Sequence, residues 1–142
     1  MTMRTASIPV EFKTGGNDEV VNLTQNVLDA VEKFKLKEGL VTIFATGSTA
    51  SVTTLEYEPG LEADIKGFLK DIAPAGDWRH NATWGDGNGH SHIRASLIGP
   101  SLTIPVTGGK PVLGTWQQVV YIDNDVRPRS RRVIVQLMGE TD

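Results

Sequence analysis

Residues 40–57 read LVTIFATGSTASVTTLEY, and this stretch decides the fold. LVTIFAT (40–46) and SVTTLEY (51–57) carry the β-branched and apolar residues of two strands, joined by the small segment Gly47-Ser48-Thr49-Ala50. Upstream, Ala6, Ile8, Val10 and Phe12 alternate with Thr5, Ser7, Pro9 and Glu11, which predicts a half-buried strand, with Pro9 marking a sheet edge. Thr14–Asp18 is a turn signal and Glu19–Leu23 a returning strand. Thr24 reads as an N-cap, and Val27, Leu28, Val31 and Phe34 form the apolar stripe of a helix that ends at Glu38-Gly39. Downstream, Pro59 suits a first helical turn, Leu61, Ile65, Phe68, Leu69 and Ile72 make a second stripe, and Pro74 stops it. Residues 75–91 (AGDWRHNATWGDGNGHS) lack periodicity and read as a long loop, followed by a short helical segment at His92–Leu97. Ser101–Val106, Val112–Ile122 and Arg131–Met138 alternate as strands. Two helices segregated among about seven strands predict an α+β fold: a single domain over residues 1–142, with a large mixed or antiparallel β-sheet sandwich and two main helices.

Composition removes several function classes. The 142 residues hold no cysteine, which excludes disulfides, thiolate zinc sites, iron–sulfur clusters and a cysteine nucleophile. A net charge of −3 and a pI near 5.6 argue against a general nucleic-acid binder. No apolar run reaches the ~18–20 residues of a membrane span, and MTMRTASIPV has no signal-peptide core, so a cytoplasmic protein with no membrane partner is expected.

The chemistry-bearing residues concentrate in a few places. His80, His90 and His92 all fall in or beside the glycine-rich loop, with Asp86 and Asn88 near. Imidazole titrates near neutral pH and is the commonest metal ligand, so these residues fit a metal or acid–base site, or else a solvated polar loop. Glu56 shares the alternation of Val52 and Thr54, and a carboxylate on a buried face needs a partner; it is otherwise a strand-end acid in solvent. Asp64 sits at the rim of the second helical stripe, where it is either a site acid or a wet flank. Trp116 reads as core or interface packing, while Gln117 points to the other face and is free to bind a ligand. Arg127, Arg129, Arg131 and Arg132 cluster ahead of the last strand, as for a small anionic ligand or a solvated edge. Gly85-Asp86-Gly87-Asn88-Gly89 matches neither the dinucleotide nor the Walker pattern.

Four segments carry a resemblance: GSTASVTTLEYEPGLEADI (47–65), DWRHNATWGDGNGHSHIRASLIGPSLTIPV (77–106), LGTWQQVVYID (113–123) and RPRSRRVIVQLMGE (127–140). In order and spacing they resemble the YjbQ-type family, also described as UPF0047 or as secondary thiamine-phosphate synthases. The resemblance implies a homotrimer with pockets between subunits. It implies catalytic roles for Glu56, Asp64, His80 and His92 and anion-binding roles for Asn88, Gln117 and Arg131, to which the arginine cluster adds Arg129 and the Gly47–Ala50 segment adds Ser48 and Thr49 as weaker oxygen ligands. It also implies a divalent metal, zinc or magnesium, at His80, His92 and His90. Many relatives carry histidine where this chain has Gly47. The implied function is an enzyme that joins a thiazole phosphate to an activated pyrimidine with loss of pyrophosphate. A metal-dependent hydrolase or lyase of a small anionic metabolite, and a non-enzymatic trimeric ligand-binding protein, are the alternatives.

Overall fold

The computed structural model describes residues 2–142. In chain order it contains β1 (Thr2–Thr14), β2 (Glu19–Asn22), α1 (Thr24–Phe34), β3 (Leu36–Ala45), β4 (Ala50–Leu55), α2 (Pro59–Ile72), α3 (Arg79–Trp84), α4 (Gly89–Ile98), β5 (Ser101–Thr107), β6 (Lys110–Pro111), β7 (Gln118–Asp123) and β8 (Arg129–Thr141). One sheet has the order β1-β8-β3-β5-β6 and the other β2-β7-β4, and every pairing is antiparallel. The expected α+β class holds, with four helices rather than two main ones.

Strand alternation builds the core. Val41, Ile43 and Ala45 of β3, with Val133, Val135 and Leu137 of β8, point inward from the large sheet. They meet Val27, Val31 and Phe34 of α1, and Val52, Val119 and Tyr121 of the small sheet. The opposite face of β7 presents Val120 and Ile122 to Ile65 of α2 and Ile98 of α4. β7 is therefore buried on both faces, which is why it reads as an unbroken apolar run. Pro9 lies on β1, an edge strand, as its missing N–H requires.

Several boundaries depart from the sequence expectation. The first helix stops at Phe34, where Lys35 turns left-handed (φ 59°), and Leu36 already belongs to β3. Glu38-Gly39 does not end a helix: Gly39 pairs with Gly139 at a close crossing of β3 and β8. Thr24 is the first helical residue rather than the cap; its hydroxyl donates to Asn22 Oδ1 and accepts from the Val119 N–H. Residues 112–117 are not strand, because Gly114 N–H donates to Gln117 Oε1 and closes a turn. Trp116 consequently stands 72% exposed and packs in no core of the chain.

Residues 75–91 form an ordered segment that contains α3 and opens α4. Its order comes from side-chain bonds to backbone rather than from an apolar stripe. Trp78 Nε1 donates to Pro74 O, Asn81 Nδ2 donates to Gly76 O, and Gly89 N donates to Asn81 Oδ1.

Candidate functional site

Alternation along β8 sends Arg129 and Arg131 to the same side as Val133, Val135 and Leu137, so both guanidinium groups lie toward the core and require partners. The partners end β7, where the alternation of Val119 and Tyr121 continues into Asp123 and Asp125. Arg131 Nε and Nη2 each donate to an Asp123 carboxylate oxygen at 2.7 Å, and Nη2 donates to Thr49 Oγ1 at 2.8 Å. The Thr14 hydroxyl also donates to Asp123. Arg129 Nη2 pairs with Asp125 Oδ2 at 2.7 Å, and Asp125 accepts further bonds from Thr49, Asn88 and the Val126 N–H. Burial by itself raises the pKa of Asp123, but hydrogen bonds from Arg131, Thr14 and the Asp125 N–H outweigh it and hold the carboxyl below the usual range. Asp125 is lowered in the same way, against its burial, by Val126 N–H, Asn88, Thr49 and Arg129.

Arg129 and Arg131, backed by these two carboxylates, form one wall of a cavity of about 490 Å³. Thr46, Gly47 and Ser48 form the rim, and His80, Trp84 and Asp86 stand opposite, with Asn88 and His92 at the start of α4. Gly47 has φ +148°, and a Cβ placed there would sit 3.3 Å from Arg131 Nη1. Glycine thus leaves the Nη1 edge of Arg131 open to the cavity while the other edge is committed to Asp123. Asn88 is buried, and its Oδ1 has no hydrogen-bond partner.

His80 and His92 are the two imidazoles of this cavity, with ring centroids 4.2 Å apart and tilted by 45°. His80 Nδ1 lies 3.7 Å from Asp86 Oδ1 and has no hydrogen-bond partner. Burial lowers the pKa of His92 most and neighbouring His80 adds to it, while Asp125 and Asp86 oppose. The neutral form of His92 is therefore favoured over the imidazolium. On their other side the two rings border an apolar recess with Trp78 and Ile93.

The cavity gathers Ser48, Thr49, His80, Asn88, His92, Arg129 and Arg131 from the sequence-derived set. It does not gather the rest. β4 ends at Leu55, so Glu56 is exposed and lines a different recess with Tyr57 and Trp116. Asp64 is exposed on α2 and lines neither recess. Gln117 closes its own turn and donates to Thr54 Oγ1 at 3.3 Å. His90 diverges from His92 because positions i and i+2 lie about 200° apart on a helix, and it faces α2 instead. Among the described residues no three His, Asp or Glu side chains are arranged to hold a metal ion. The expectation missed Asp123 and Asp125, whose signal is two acids on the core-facing alternation directly after an apolar run.

Comparison with known proteins follows the same outline. The family model described as UPF0047 protein YjbQ-like matches residues 8–140. The chain is 36% identical over 131 residues to a UPF0047 protein of Methanocaldococcus jannaschii, covering 92% of each. It is 35% identical to one of Archaeoglobus fulgidus, covering 89% of this chain and 97% of that one. A solved YbjQ-like protein of unknown function from Sulfolobus solfataricus superposes with a TM-score of 0.93 at 34% identity, over 98% of this chain and all of that one. A yjbq/upf0047 protein of Clostridium acetobutylicum gives 0.84 at 33% identity, over 92% and 98%.

Proposed function

The chain belongs to the YjbQ-like UPF0047 family, and from that premise we propose that it is a small-molecule enzyme acting on a phosphorylated substrate in the arginine–histidine cavity. One observation carries the reading: the open Nη1 edge of Arg131 and the His80–His92 pair line the same cavity. A guanidinium edge next to a turn of small residues suits a phosphate oxygen, and its other edge is fixed by Asp123 in advance of binding. His92, whose burial favours the neutral ring, offers a hydrogen bond at the reacting group. The apolar recess at Trp78 and Ile93 takes the flat, carbon-rich part of the same molecule.

A thiamine-phosphate synthase reaction fits the anion seat and the apolar recess, and asks of His92 a hydrogen bond rather than a proton transfer. The C–O bond of a pyrimidine pyrophosphate ester breaks, a C–N bond forms at the thiazole nitrogen, and the departing pyrophosphate meets Arg129 and Arg131. Among the described residues no three His, Asp or Glu side chains are arranged to hold one ion, and no step here is routed through zinc or magnesium. A homotrimer is part of the proposal. Leu40, Phe44 and Met138 project from the outer face of the large sheet at 41–48% exposure, and Trp116 stands free at a turn; an interface between copies covers such groups.

Calorimetry with inorganic pyrophosphate tests the reading. The wild type binds saturably, and Arg131→Lys binds at least about tenfold more weakly because the fork is lost while the charge stays. No binding to the wild type overturns the anion site. Binding without turnover of the coupled substrates favours a non-catalytic ligand-binding protein.

A further inference from the structure

The face of α4 turned away from His92 borders a second recess, of about 810 Å³, between α2 and α4 with the turn before β2 as its floor. From α2 it receives Ala63, Lys66, Gly67 and Lys70, which share one helical face, and from α4 it receives His90 and Arg94, one turn apart. Its single carboxylate, Asp18, is already committed: Oδ2 accepts from Arg94 Nη1 at 2.7 Å and Oδ1 from Asn124 Nδ2 at 2.8 Å. Arg94 also donates Nε to Ala73 O at 2.9 Å. Both members of this ion pair are buried.

What remains uncommitted is positive or hydrogen-bonding. Lys66 and Lys70 have no ion-pair partner among the described residues. His90 lines the recess at only 6% exposure, and its ring makes no hydrogen bond, Nδ1 being sealed without a partner. A buried imidazole that makes no hydrogen bond is retained at a cost, and the recess that its ring lines is where a partner enters. With Arg94 and Asp18 cancelling, two free ammonium groups remain, which makes that occupant an anion and matches two negative charges. Ala63 and Gly67 are short, so the wall leaves space for a small carbon skeleton.

We propose that this recess is a second ligand site, for a small dianion of the phosphate-monoester class, held by Lys66 and Lys70 and hydrogen-bonded by the His90 imidazole. It is independent of the arginine–histidine cavity, from which the body of α4 separates it.

The chain has three histidines, so NMR of the imidazole carbons reads both sites in one titration. Glycerol 3-phosphate is added at pH 7.5 and constant ionic strength, and the His90 signal is assigned by its loss in His90→Gln. The expected result is a saturable shift of His90. A Cβ at Gly67 meets no protein atom within 4 Å, so Gly67→Leu starts its side chain in open space and occupies the recess. That variant abolishes the His90 shift and leaves the responses of His80 and His92 unchanged. The double variant Lys66→Glu, Lys70→Glu weakens the His90 response at least tenfold. A His90 signal unmoved in the wild type, or moving equally in both variants, overturns the site. Failure of the proposed function shows itself separately, as silence at His80 and His92 while His90 responds.

Discussion

Arg131 and His80 line the same cavity, yet Arg131 is held by four hydrogen bonds on a thirteen-residue strand while His80 stands on a six-residue helix with no buried residue. The strand half carries fixed charge, already neutralised by Asp123 and Asp125, and its geometry is set by the core beneath it. The helix half carries His80 on a segment tied down by a few side-chain bonds to backbone. Local stability differs accordingly, since elements with few buried contacts open at lower cost than core strands. The cavity therefore sets a strand-anchored arginine against His80 on a weakly anchored helix, with His92 on the better buried α4 between them.

The largest effect is expected at the seat. Asp123→Ala leaves Arg131 buried without its partner and should cost about 3–5 kcal/mol in urea unfolding. A loss below about 1 kcal/mol would show that the strand half is no more anchored than the helix half. Gly47→Ala tests the rim between them. At φ +148° a side chain is strained by about 1–3 kcal/mol, and its Cβ crowds Arg131 Nη1, so stability and pyrophosphate affinity should fall together. Intact affinity in that variant would mean the Nη1 edge is not the seat.

The smallest effect belongs to the helix half and appears only against pH. Burial is the largest cause lowering the pKa of His92, so the folded state favours its neutral form more than the unfolded chain does. Its contribution is thus present above the ordinary value of about 6.5 and is lost as pH falls below it. Wild-type stability should drop between pH 7.5 and 5.5, and His92→Gln should flatten that drop while changing stability little at pH 7.5. An unchanged slope in the variant would assign the drop to His90, which burial lowers as well.

Most of the sheet was legible because strand alternation is a two-residue signal that survives in isolation. β8 shows it from Arg129 to Leu137, and β1 from Thr5 to Phe12. The helix end was not legible: Leu36 suits either a helical stripe or a strand, and only its place in the core beside β8 decides. Residues 75–91 hid α3 because a helix with no buried side chain has no apolar period to read. At the site, the arginines and histidines stood out by type. Their acid partners did not, since Asp123 and Asp125 reach them only once β7 lies across from β8's end. Glu56 misled for the opposite reason: its alternation with Val52 is real, but the strand stops one residue short of it.

At the far end of β8, Gly139 faces Gly39 so closely that a Cβ on Gly39 would lie 2.1 Å from Met138 O, and one on Gly139 2.2 Å from Glu38 O. This crossing accepts no side chain on either strand, so it indexes the register of β3 on β8 as a notch indexes a key. A slip of two residues would drive Val41 or Leu137 into the notch. It would also carry Arg131 some ~7 Å along the sheet, away from Asp123. Gly139 lies eight residues from Arg131, roughly 26 Å along an extended strand. The alignment of the anion seat is thus set at a distance, by two residues that have no side chains and touch no ligand.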